Sequence, residues 1–226
     1  MKLSAKLLMF GFLAAAAAFL SLPVDASATT TMTATVTADN HYALYVGNAD
    51  GSDLTYVGRN EDGVYGNPGE YNWSLPETYS GVSVTTGNYA YVLAWNDGGA
   101  QSMIGEFALS DGTTIVTNAT DWEYSILSTI GSSLPDVSSI MSMLGSASWS
   151  SVAASAANGS SPWGTISGIS SAAQFIWSDT LGTSSTSDGY YVVFRTELSP
   201  VPIPGAVWLF GSGLVGLIGF RKKRLA

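Results

Sequence analysis

Residues 88–95 read NYAYVLAW. At a period of two, Tyr89, Tyr91, Leu93 and Trp95 share one face, and Ala90, Val92 and Ala94 share the other. Alternation of this kind is the mark of a strand. Large residues on one side and small ones on the other fit a strand pressed closely on its second face. Residues 190–198, YYVVFRTEL, repeat the pattern. Tyr190, Val192 and Phe194 fall on one side, and Tyr191, Val193, Arg195 and Glu197 on the other. Both segments are expected to be central strands, the second of them the last in the fold.

Working outward, further strand-like runs are separated by Gly, Asn and Asp. They are TATVTA (33–38), HYALYVG (41–47), LTYVG (54–58), YSGVSVT (79–85), SMIGEFAL (102–109) and TTIVT (113–117). The pairs Asp50-Gly51, Asp62-Gly63 and Asp111-Gly112 suit tight turns. Strands at this spacing predict an all-β sandwich or barrel rather than βαβ units. The middle differs. Residues 125–161 are rich in Ser and Ala and read as an insertion. Within it Val137, Ile140, Met141 and Leu144 have helical spacing and suit a short helix. The remainder reads as a long loop. No internal repeat is present.

Charge is distributed unevenly. The chain has 17 acidic and 8 basic residues. Asp25, Lys2, Lys6 and the cluster 221–224 lie outside residues 29–200. That segment therefore keeps sixteen acids against two bases, Arg59 and Arg195, a formal net charge of −14. Nucleic-acid binding through phosphates needs a basic face, so it is excluded as a function. Solubility outside the cell accounts for the acidity, and divalent-cation binding is the sharper alternative. The chain has no cysteine, which excludes disulfides, a catalytic thiol and thiolate metal sites.

The two ends have a different composition. Lys2 and Lys6 precede an apolar run from Leu7 to Leu22, and Ala26-Ser27-Ala28 offers small residues for cleavage. This is the pattern of a secretory signal peptide over residues 1–28, cut at Ala26 or Ala28. Residues 201–226 read VPIPGAVWLFGSGLVGLIGFRKKRLA. Pro202 and Pro204 keep the chain extended. The run from Ala206 to Phe220 is apolar, Gly or Ser, and shorter than the ~20 residues that span a bilayer comfortably. Arg221, Lys222, Lys223 and Arg224 then mark a cytoplasmic end. The domain between is expected outside the cytoplasm, with a C-terminal transmembrane helix as tether.

Proline motif, weak apolar helix and basic cluster in this order resemble the PEP-CTERM sorting signal of Gram-negative bacteria. The motif Val201-Pro202-Ile203-Pro204 lacks the central acid and is similar to the VPLPA-type variant. The resemblance implies recognition by an exosortase, a membrane cysteine transpeptidase, transient residence in the inner membrane, and delivery to the cell surface or matrix. Exopolysaccharide is the partner that such delivery implies. The alternative is a single-pass anchor that is never cut.

A second resemblance covers most of residues 29–200. ADNHYALYVGNADG (38–51), then Trp73 with LPETY (75–79), then TTGNYAYVLAWNDGGAQSMIGEF (85–107) and PWGTISGISSAAQFIWSD (162–179) resemble galactose-binding-like jelly-roll domains of extracellular bacterial proteins. The resemblance implies one jelly-roll domain over 29–200. In it Asp39, Asn40, Asn96, Asp97, Gly98 and Gly99 shape turns.

Chemistry is sparse. His41 is the only histidine, so a Ser-His-Asp triad would have to use it. Its place at a strand start, beside Asp39-Asn40, suits a turn-packing role. Metalloprotease, nucleophile-elbow and P-loop motifs are absent. Glu106 and Glu123 are the acids within strand-like runs, and a glycosidase would need two facing carboxylates. No cofactor is expected, with one alternative. Asn48, Asp50 and Asp53 cluster hard oxygens in one loop and are the candidate ligands of a structural calcium ion. Of seven tryptophans, Trp73, Trp95, Trp122, Trp163 and Trp177 are expected in the core. Asn118 begins an Asn-Ala-Thr sequon. These residues predict a non-enzymatic surface or matrix protein, with a carbohydrate-binding module as the alternative.

Overall fold

A computed structural model describes residues 30–60, 72–85, 87–130, 133–181 and 189–198. The strands in chain order are β1 (Thr30–Asp39), β2 (His41–Gly47), β3 (Leu54–Arg59), β4 (Glu77–Val84), β5 (Asn88–Trp95) and β6 (Ser102–Leu109). They continue as β7 (Thr114–Val116), β8 (Glu123–Ile130), β9 (Ser150–Ser151), β10 (Ala154–Ala157), β11 (Gln174–Trp177) and β12 (Tyr190–Leu198). Among the described residues one helix, α1, spans Val137–Leu144. The strands form two antiparallel sheets in a sandwich-like, all-β fold. One sheet has the order β10-β11-β6-β1-β4, with β7 also on β6; the other has the order β3-β2-β5-β12-β8-β9.

β5 shows why the sheets sit as they do. Ala90, Val92 and Ala94 lie in the main core with Met32, Ala34, Val36 and Phe107 of the facing sheet. Their small side chains let the sheets approach. Tyr91, Leu93 and Trp95 point the other way, into a second cluster. β12 divides likewise, with Val192 and Phe194 in the main core and Tyr191 and Val193 in the second cluster. That second cluster is closed by α1, whose Ile140 and Leu144 are buried on it. A third cluster, built on Trp163, Ile166, Ile169 and Phe175, packs on Ile104 of β6. Each sheet is thus covered on both faces over part of its area.

The segment expected as a long loop is corrected by the structure. Residues 123–130 form β8, paired along β12 in the register Glu123↔Arg195 to Tyr190↔Ile130. Residues 137–144 form the helix suggested by their spacing, and Asp136 caps it by accepting from the Ser139 amide at 2.9 Å. Then β9 pairs with β8, and β10 pairs with β11 of the opposite sheet. The Ser/Ala-rich segment therefore steps from one sheet to the other, with Val152 in the main core between them.

Glycine shapes the outer strands. Met32 pairs with Val82 and Ala34 with Tyr79, so Ser80 and Gly81 both oppose Thr33 in a bulge. Gly81 has φ 73°, which a side chain rarely adopts. The bulge bends an edge strand that would otherwise invite pairing with another chain. In the β2–β3 turn, Gly51 has φ 68° and sits against the Leu144 side chain. Asp62-Gly63 lies outside the described residues.

Candidate functional site

The two cations of the domain, on β3 and β12 of one sheet, each sit over a tryptophan ring. Cross-strand register lines up Tyr56, Tyr45, Tyr91, Arg195, Glu123 and Ser151 in one row across β3, β2, β5, β12, β8 and β9. Arg195 is the centre of the row. Its Nε and Nη2 donate to Glu123 Oε2 at 3.0 and 2.9 Å, and its Nη1 donates to the Ala49 carbonyl at 2.7 Å. Its guanidinium lies 3.7 Å from the Trp149 ring centroid and 5.2 Å from that of Tyr89. One side chain thereby ties β12 to β8, to the β2–β3 turn and to the segment after α1. Tyr56 is exposed, and Tyr89 and Trp149 are half-buried. This face presents aromatic surface to solvent. Trp149 is not among the tryptophans that sequence context placed in the core. Trp95, Trp122, Trp163 and Trp177 are buried there as expected, and Trp73 packs partly buried on the third cluster.

At one end of the same sheet the polar residues are linked to one another. His41 is buried, stacks on Trp95 with centroids 5.0 Å apart, and lies 2.9 Å from Asp97 through its Nε2. Asn40 Oδ1 accepts from the Asp97 amide at 2.7 Å, and the Asn40 carbonyl accepts from Asn60 Nδ2 at 2.7 Å. Asp39 accepts from Asn40 Nδ2 and from Trp163 Nε1, both at 2.9 Å. Burial raises the Asp39 carboxyl above its ordinary value, and the Trp163 hydrogen bond offsets part of that rise. Gln101 Nε2 donates to the Thr180 carbonyl at 2.8 Å. Residues 39–41 and 96–97 thus hold the strand ends together. Arg59 lies 5.9 Å from the Trp95 ring centroid. Beside it, burial pushes the Tyr45 hydroxyl up to about 12.

Polar groups also enter the core. Tyr42 Oη lies 2.8 Å from Glu77 Oε2 and 2.9 Å from Tyr79 Oη. Burial first, and these neighbours second, raise its pKa far above that of a free phenol. Glu106 Oε2 accepts from the Ser170 amide at 2.8 Å, and Glu123 holds Arg195. Glu106 and Glu123 are therefore tied to different partners, on strands of different sheets.

Asn48, Asp50 and Asp53 share the β2–β3 turn. Asn48 Oδ1 accepts from the Asp53 amide at 3.1 Å, and Asp50 Oδ1 from the Ser52 amide at 3.0 Å. The Ser52 hydrogen bonds lower the Asp50 carboxyl. Among the described residues, no three His, Asp or Glu side chains gather as a metal site. Asn118 Nδ2 donates to the Val116 carbonyl and to Asp121 Oδ2, so the sequon amide is engaged in a turn. The cleavage residues Ala26 and Ala28 lie outside the described residues, as do Val201, Pro202, Ile203, Pro204, Arg221, Lys222, Lys223 and Arg224. No helix among the described residues is long and apolar enough to cross a membrane. No protein-family model matches the chain, and no curated protein and no solved structure is significantly similar to it.

Proposed function

We propose that this is an exported, non-enzymatic protein of a bacterial cell surface or extracellular matrix, sorted through residues 201–226. The observation that carries this reading is the order of that segment: extended prolines, a marginal apolar run and four consecutive cations. The prolines suit the groove of a protease or transpeptidase. The glycines at 211, 213, 216 and 219 weaken insertion, so the segment is presented rather than buried. The cations resist crossing and hold the cut site at the outer face. An exosortase-type enzyme of the inner membrane is the implied partner. The folded domain supports a structural or binding role. His41 is bonded to Asp97, Glu106 to the Ser170 amide and Glu123 to Arg195, so each is tied into the fold. The sandwich is read as a jelly roll, because the chain crosses between sheets at β1–β2, β3–β4, β4–β5 and β5–β6.

Tail variants in the native host test the reading. Replacing residues 221–224 with Ser should release uncut or mis-sorted protein into the wrong fraction. Pro202→Ala with Pro204→Ala should leave a longer, membrane-held form. Immunoblots of cell fractions in which both variants behave as wild type would remove the sorting reading.

A carbohydrate-binding module of the galactose-binding-like type is the second reading. Exposed Tyr56 and half-buried Tyr89 and Trp149 on one sheet face favour it, since aromatic rings stack on sugars. Neither reading requires a cofactor. A calcium ion held by Asn48, Asp50 and Asp53 would bind the folded state and raise the melting midpoint. An unchanged midpoint in millimolar calcium would dismiss that ion.

A further inference from the structure

Charge is spread unevenly over this fold. From Tyr124 to Ser178 the chain has one charged residue, Asp136. The other fifteen acids of residues 29–200, with Arg59 and Arg195, lie before or after that stretch. The neutral stretch supplies most of β8 and all of α1, β9, β10 and β11. β3 lies against β4, where Gly58 meets the Tyr79 ring, so these strands share one lateral edge of the sandwich. β8, β9 and β10, at the other ends of the two sheets, share the opposite edge. Val152, buried in the main core, carries the chain across it from β9 to β10. Asp136 stands at the N-terminal end of α1, and Glu123, where this edge begins, is paired with Arg195.

The two edges are finished differently. The β3–β4 edge carries Arg59 and Glu77 and is bent by the bulge at Gly81. Charge and bulging are the usual defences of a strand edge against pairing. Past Glu123 the β8–β10 edge has no charge. β9 covers β8 only at Glu123 and Tyr124, and among the described residues no further strand lies outside the rest of β8 or outside β10. Ile126, on the main-core face of β8 opposite Val192, is left 41% exposed. Ser151, Ala153, Ser155 and Ala157 are exposed along the same rim. A soluble surface is commonly about 25–35% charged, so a whole edge without charge is not what solubility asks for.

We propose that this edge is where one copy of the domain meets a second copy, edge to edge across a two-fold axis. Two domains of net charge −14 repel over most of their surface. The neutral edge is the side on which that repulsion is weakest. A two-fold contact sets each edge against itself, so neutral meets neutral. A basic partner would be drawn to the acidic side instead, and an acidic partner would find no free cation on this edge. Ile126 and the half-buried Tyr124 supply the apolar part, and the small side chains around them lose little rotamer freedom when covered. The eight residues of β8, at about 3.3 Å each, make the edge about 26 Å long, and two sheets about 10 Å apart with their outer side chains make it about 20 Å across. That is about 500 Å2 per copy, near the lower bound of ~1,000 Å2 in total for a specific contact. The pairing is therefore weak in dilute solution and favoured where copies are crowded on a surface or in a matrix. It rests on the structural role proposed above and not on the fate of the tail.

The chain has no cysteine, so an introduced one is unique. Ser151→Cys and Ser155→Cys place it on the neutral edge, and Thr55→Cys places it on exposed β3 at the opposite edge. Each full chain, in a polyoxyethylene detergent, is treated with a short bismaleimide, and covalent dimer is read on denaturing gels. At least one edge variant should give about tenfold more dimer than Thr55→Cys. Adding Ile126→Glu should lower that yield about tenfold, the scale of about 1.4 kcal/mol, because the axis brings the two new charges together. Ala153→Glu, on an exposed residue, should do the same with the melting midpoint near wild type. Raising salt from about 0.1 to about 1 M shortens the screening length from about 10 to about 3 Å and should raise the yield, since it screens repulsion between like domains. Equal dimer from all three cysteine variants would mean association through another part of the chain and would overturn the edge contact. No dimer from either edge variant would overturn the second copy as its occupant, as would a yield that falls with salt. None of these outcomes touches the sorting reading, which is read from the mass of the tail.

Discussion

Arg195 is the residue on which most separate parts of the fold converge. Glu123 is about half exposed, so screening limits the ion pair to roughly 1 kcal/mol or less. Stacking on Trp149 adds about 0.5–2 kcal/mol, and the bond to the Ala49 carbonyl adds a charge-assisted contact. Arg195→Ala should cost about 2–3 kcal/mol in urea unfolding, and Arg195→Lys should recover little, since an ammonium cannot fork to Glu123 and stack at once. A loss within 0.5 kcal/mol for the alanine variant would refute the convergence. Two aspartates predict opposite pH effects. The Ser138 hydroxyl, with the amide and hydroxyl of Ser139, holds the Asp136 carboxyl down to about 2 from an ordinary 3.8. Its contribution is complete above the ordinary value and is lost as pH falls toward about 2. Burial raises Asp39 instead, so its contribution is present below 3.8 and lost as pH rises through its folded value. Carboxyl NMR should show Asp136 titrating well below Asp39; the reverse order would contradict both placements.

Elements differ in how plainly the sequence announces them. β5 and β12 match runs read from period-two alternation, β2 and β6 match strand-like runs bounded by Gly, Asn and Asp, and α1 matches its helical spacing. Those segments carry large apolar residues, whose burial dominates local preference. β9 and β10 do not. Their serines and alanines have weak preferences, and they become strands because β8 and β11 present edges to them. β8 does carry Tyr124, Ile126, Leu127 and Ile130, but in a Ser-rich run without clear alternation, and it forms along the edge of β12. The cover on the outer face was legible only in part. Tyr91, Leu93 and Trp95 demand a partner, but nothing local says that α1 supplies it. The row through Arg195 depends on register between strands far apart in the chain, which no local pattern encodes. The Asn48, Asp50 and Asp53 cluster was legible as a turn for a local reason, since Asx side chains bond their own backbone. Packing between edge strands gives a direct prediction. A Cβ on Gly58 of β3 would overlap the Tyr79 ring of β4. Gly58→Ala should therefore lower stability by about 1–3 kcal/mol, and Gly58→Ala combined with Tyr79→Leu should cost less than the two single changes summed. Additive losses would separate the two residues. On α1, Leu144→Ala should cost about 2–5 kcal/mol and leave the far-ultraviolet spectrum β-rich, because the main core lies on the opposite face of the sheet.

At the scale of the whole molecule, an acidic sandwich lies between two apolar segments of different grammar. The −14 domain carries its two cations as internal fasteners, whereas six of the eight cations in the chain lie in those terminal segments. That separation fits a protein whose basic residues serve passage through a membrane and whose domain works outside it. The central claim is that the tail is an address, cut at Pro202-Ile203-Pro204 once delivery is complete. Intact-mass spectrometry of the surface-associated protein from its native host tests this most directly. Sorting predicts a mature form that starts after Ala26 or Ala28 and lacks Trp208 to Ala226. A surface form that still carries Ala226 would mean a permanent anchor and would contradict it.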